Sequence, residues 1–120
     1  MKLTFLYHPV IDLEKAVGFY RDVLGWDEAW REGETTAAFA IPDSTVQVML
    51  DVSDSDEGGP CGFYEVDDVD AFHATNRDTV DWVELPEDLP PIRCAAFKDP
   101  AGILFRIFHN LEDPEPDPNA

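Results

Sequence analysis

The sequence predicts an α+β fold made of two βαβββ units whose curved sheets pair around a common cleft. Three observations lead there. The stretches "DLEKAVGFYRDVLGW" (12–26) and "DVDAFHATNRDTVDW" (68–82) align on Asp12/Asp68, Arg21/Arg77, Asp22/Asp78 and Trp26/Trp82, with Leu13/Val69, Glu14/Asp70 and Leu24/Val80 as conservative pairs. Each stretch follows one β-like run and precedes further ones. An acidic, glycine-rich segment, "SDSDEGGP", separates the two halves. A chain of 120 residues is the size of one domain, and with 44% hydrophobic residues it can bury a core.

The first unit, residues 1–52, opens with the aromatic and aliphatic run "LTFLY", a strand by composition. Asp12 is a good N-cap. Leu13, Ala16, Val17, Tyr20 and Leu24 then fall on one helical stripe that Gly25 can close in a left-handed cap. "DEAWR", "TTAAFAI" and "TVQVMLDV" read as strands, the last two joined by a turn at Pro42, Asp43 and Ser44. Residues 53–60 are the linker.

The second unit, residues 61–109, repeats the order. "CGFYEV" is a strand, Asp68 caps a helix and "DWVEL" is a strand. "PEDLPP" reads as a loop, "RCAAFK" as a strand, "DPAG" as a tight turn and "ILFRIFH" as the last strand. Residues 110–120 alternate acid and proline and are expected to be disordered. Neither unit alone can cover both its helix and its sheet face; paired units can.

Charge excludes some partners. Asp and Glu number 26 against eight Lys and Arg, a formal charge of −18. Such a surface repels nucleic acid and anionic membranes, which need clustered basic residues. Spread along the chain, with lysine only at 2, 15 and 98, the acidity matches salt-adapted proteins, in which molar salt screens self-repulsion. No apolar run spans a bilayer and "MKLTFLYHPV" is no signal peptide, so a cytoplasmic location is expected. Cys61 and Cys94 read as reduced, mostly buried thiols.

The motifs "VIDLEKAVGFYRDVLGW", "VDDVDAF" and "AAFKDPAG" resemble the vicinal oxygen chelate superfamily of glyoxalases, extradiol dioxygenases, fosfomycin resistance enzymes and bleomycin-binding proteins. The likeness covers roughly residues 3–109. It implies paired βαβββ modules, a cleft between curved sheets and a homodimer. Many members hold a divalent ion on four strands. The resemblance puts those ligand positions at Phe5, Met49, Cys61 and Arg106. Phenylalanine cannot ligate, arginine repels a cation, and two soft sulfurs do not suit a hard octahedral ion. No metal and no cofactor are therefore expected.

Strand alternation marks the cleft face as Phe5, Tyr7, Gln47, Met49, Asp51, Cys61, Phe63, Glu65, Leu104, Arg106 and Phe108. Apolar rings with a few polar groups suit a small-molecule pocket. The competing reading is a filled core in which Arg106 pairs with Glu65. His8, His73 and His109 fall on other surfaces and do not converge. The leading expectation is a protein that binds a small aromatic or anionic compound in a metal-free cleft, with Arg106 as the anion anchor. An isomerase, lyase or dioxygenase with an unconventional metal site is the second reading, and an acidic structural or regulatory interaction domain the third.

Overall fold

The computed structural model describes residues 1–53 and 59–111. The middle of the linker and nearly all of the acidic tail lie outside them. The first half holds β1 (Lys2–Val10), α1 (Leu13–Gly18) running into a π-helical turn (Phe19–Val23), β2 (Glu28–Glu32), β3 (Thr36–Ala40) and β4 (Gln47–Val52). The second half holds β5 (Cys61–Glu65), α2 (Val69–Thr75), β6 (Asp81–Leu89), β7 (Ile92–Lys98) and β8 (Leu104–Asn110).

All strands join one eight-stranded mixed sheet in the order β2-β3-β4-β1-β5-β8-β7-β6. At its centre β1 and β5 pair antiparallel; outward, β1 pairs parallel with β4 and β5 parallel with β8. The βαβββ order is thus followed twice, related by a pseudo-twofold axis between β1 and β5.

Each helix starts at the aspartate that caps it. The Asp12 carboxylate accepts the Lys15 amide, and that of Asp68 accepts the Asp70 and Ala71 amides. Gly25, at φ 72°, terminates the first helical segment in the conformation that a side chain disfavours.

Pleating separates two apolar layers. On the outer face, Leu13 and Val17 of α1 pack on Ala37, Phe39, Val48 and Leu50. Likewise Val69 of α2 packs with Ala95, Phe97 and Ile107. Trp26 belongs to the rim of the first cluster and Trp82 to that of the second, so the repeated tryptophans do corresponding work, each against its own helix. On the inner face Phe63, Cys94 and Phe108 meet Phe5, Tyr7, Met49 and Ile92. Gly62 is small for a reason: a Cβ there would stand 2.6 Å from the Tyr64 ring, which stacks on Phe105.

Several boundaries differ from the sequence reading, β1 for example running on from Tyr7 to Val10. Pro86–Leu89 extend β6 instead of forming a loop, because β6 is the sheet edge and a proline at an irregular edge position forfeits no ladder bond. β8 includes Asn110, opposite Ile92.

The histidines all sit on the helix side. The His8 ring shares a 3.2 Å hydrogen bond with the Tyr20 hydroxyl, His73 packs on Trp82, and His109 Nδ1 accepts the Val69 amide. Burial holds His8 below its ordinary value of 6.5. A base that is harder to protonate when folded stabilises the fold fully above pH 6.5 and less as pH falls below it. Replacing His8 with Gln should therefore flatten part of the stability loss below that pH, measured by urea titrations at stepped pH. An unchanged slope would place the acid sensitivity elsewhere.

Candidate functional site

The concave face encloses a cavity of about 620 Å³, within the range of small-molecule sites. Of the residues that alternation predicted, Phe5, Tyr7, Met49, Asp51, Phe63, Arg106 and Phe108 line it. Gln47, Cys61, Glu65 and Leu104 do not. Gln47 Oε1 accepts the Trp30 indole N–H at 2.9 Å, Glu65 accepts from Asn110, and Leu104 is buried.

The floor is aromatic. Phe63 touches Phe108, Tyr7 and Phe5 at ring-centroid distances of 5.2, 6.2 and 6.5 Å, and Trp30 stands edge-on to Phe5 at 6.0 Å. The filled-core alternative does not describe this face: rings pack along the sheet, and the space above them stays open.

Two polar clusters interrupt the rings. In the first, Asp51 accepts the Tyr7 hydroxyl at 2.7 Å and the Thr36 hydroxyl at 2.8 Å. Thr36 is the cross-strand partner of Asp51 on β3. Burial, then the bond to Asp51 and its charge, pushes the Tyr7 phenol well above its ordinary value, so it remains a neutral donor.

In the second, Arg106 Nη1 donates to Glu84 Oε2 at 2.9 Å, and its guanidinium lies 5.5 Å from the centre of the Tyr7 ring. Glu65 is not its partner, contrary to the sequence expectation. Ala96 sits between Arg106 and Glu84 in the pairing register, and its small side chain lets the arginine reach across β7. Arg106 Nε is buried without a hydrogen-bond partner. Burial raises the Cys61 thiol against the opposing pull of nearby Arg106, so a thiolate nucleophile is disfavoured there.

The cleft face read from alternation covers only β1, β4, β5 and β8, so it omits Glu84 and Trp30, whose edge strands also carry bulges. Trp82 pairs with Phe97 on the outer face, yet Glu84 pairs with Ala96 on the inner one. The extra residue, Val83, resets the parity. The first half repeats the device: Glu28 pairs with Phe39 and Trp30 with Ala38, leaving Ala29 as the extra residue. Thr35, Thr36, Glu32 and Gly33 from the β2–β3 hairpin, and Leu89, Pro90, Pro91 and Ile92 from the β6–β7 hairpin, complete the walls.

The four positions that metal-binding relatives would use do not fit a divalent ion. Phe5 and Arg106 supply a ring and a cation, and among the described residues no group of three or more His, Cys, Asp or Glu converges.

A family model described as "Glyoxalase/Bleomycin resistance protein/Dioxygenase superfamily" matches residues 4–107. The chain belongs to that superfamily. Among solved structures, it resembles one described as NAD-dependent benzaldehyde dehydrogenase from Legionella pneumophila, with 19% identity and TM-score 0.75 over 88% of this chain and 97% of that one. Methylmalonyl-CoA epimerase from Mycobacterium tuberculosis gives 24% identity and TM-score 0.70, over 92% and 89%. A superfamily member from Vibrio splendidus gives 18% identity and TM-score 0.69, over 88% and 95%. At these identities the likeness shows the fold. No curated protein gives a significant match.

Proposed function

We propose that this protein binds a small aromatic compound in its cleft without the help of a metal ion. The observation that carries the reading is an open cavity of about 620 Å³ floored by Phe5, Tyr7, Phe63 and Phe108. Rings offset or edge-on to one another present faces and edges on which a further ring gains contact beyond simple area burial. A second reading, an anionic ligand held by Arg106, draws on the unbonded Nε. Glu84 already supplies that arginine with a carboxylate, which weakens it as an anchor.

The test is a titration of the isotope-labelled chain with phenylethanol, followed by amide chemical shifts. Saturable shifts at Phe5, Tyr7, Phe63 and Phe108, unchanged after exhaustive chelation, are expected. Shifts confined to other surfaces, or binding abolished by chelation, would overturn the proposal.

A further inference from the structure

Resting on that small-molecule reading, we infer that the cleft selects an organic cation, a protonated amine or quaternary ammonium borne on an aromatic body, with Asp51 as its counter-charge. Three charged side chains line the cavity: Glu32, Asp51 and Arg106. The single cation among them is matched by Glu84. Neither Asp51 nor Glu32 takes part in any ion pair formed among the described residues. The lining therefore carries an excess of negative charge that a ligand could neutralise.

Asp51 is held for such a role. Its two hydrogen bonds come from neutral hydroxyls, one to each oxygen, which orient the carboxylate without compensating its charge. An ionised carboxylate has about four lone-pair sites, so acceptor capacity remains for an ammonium N–H. The Tyr7 ring leads from Asp51 to the Phe5–Phe63–Phe108 floor. A cation beside Asp51 would thus meet a carboxylate next to the Tyr7 ring, one face of which carries Arg106 and the other of which is left for the ligand, the combination that recognises quaternary ammonium groups. The formal charge of −18 adds a long-range field that concentrates cations near the mouth. An anion would have to share Arg106 with Glu84 while approaching two unpaired carboxylates.

The experiment compares three probes of nearly equal shape, phenethylammonium, phenylethanol and phenylacetate, by amide-shift titration at neutral pH and fixed high KCl. Phenethylammonium should bind at least about tenfold more tightly than phenylacetate, as expected for one charge-assisted hydrogen bond. Asp51→Asn should erase that preference, while phenylethanol should still shift the Phe5 and Phe108 amides, which reports an intact cleft. Asp78→Asn removes the same formal charge outside the cleft and should change nothing. Equal affinities for the two ions, tighter phenylacetate, or equal losses in both variants would overturn the cation inference while the small-molecule reading stood. Failure of all three probes to shift any cleft amide would remove both.

Discussion

Phe63→Ala should cost about 3–5 kcal/mol, a large share of the roughly 5–15 kcal/mol that holds a domain of this kind together. Phe63 lies on β5, directly opposite Phe5 of β1, at the seam where the two halves join. It is 8% exposed and touches three other rings, from β1 and β8. Truncation removes that packing and leaves a void that extended strands on both sides cannot close. The loss should appear as a lower urea midpoint with little change in slope. Phe63→Leu, which keeps most of the volume, should lose much less. A cost below about 1 kcal/mol for the alanine variant would mean that the outer-face clusters hold the halves together without the ring floor.

Raising KCl from millimolar to molar concentration should stabilise the fold by several kcal/mol. In water, two like charges about 10 Å apart repel by about 0.4 kcal/mol, and a compact chain with a formal charge of −18 holds many such pairs. At 0.01 M salt the screening length is about 30 Å and the pairs interact across the molecule; at 1 M it is about 3 Å and they do not. Individual ion pairs work in the opposite sense but are few among the described residues, and apart from the part-buried Arg106–Glu84 pair they lie at the surface. Arg31 ties Glu14 of α1 to Glu28 of β2, and Arg93 ties Asp70 of α2 to Asp88 of β6, all on exposed ground. Thermal melts across a KCl series decide the matter. A flat or falling melting temperature would leave the acidity without a role in stability.

Much of the fold could be read from the residues because local signals agreed with each other. Asp12 and Asp68 both cap helices, and alternation along β4 and β8 correctly divides Val48, Leu50 and Ile107 from Met49, Asp51 and Arg106. Those strands are regular, so one register fixes every side chain. The outer strands are not. One extra residue in β2, and two successive register shifts in β6, change which side chains face the cleft, and nothing in "DEAWR" or "DWVEL" announces them. Alternation carried onto those strands would have put Trp30 and Glu84 on the wrong face, and parity on β5 matched Arg106 with Glu65 where Glu84 is the partner. Pro86 gave a misleading signal of its own, since proline punctuates a loop in most contexts but is tolerated on an edge.

The paired bulges have a consequence for how this molecule could change. In one half the bulge carries Trp30 over Ala38 toward Met49; in the other it carries Glu84 over Ala96 toward Arg106. The backbone thus offers two equivalent sockets, one fitted with an indole and one with an acid. Both lie on the face opposite the helix-bound clusters that hold each half. New side chains in either socket would rewrite what the cleft admits while the scaffold keeps its own separate support, and the duplication would serve as a spare position for chemistry as well as a second wall.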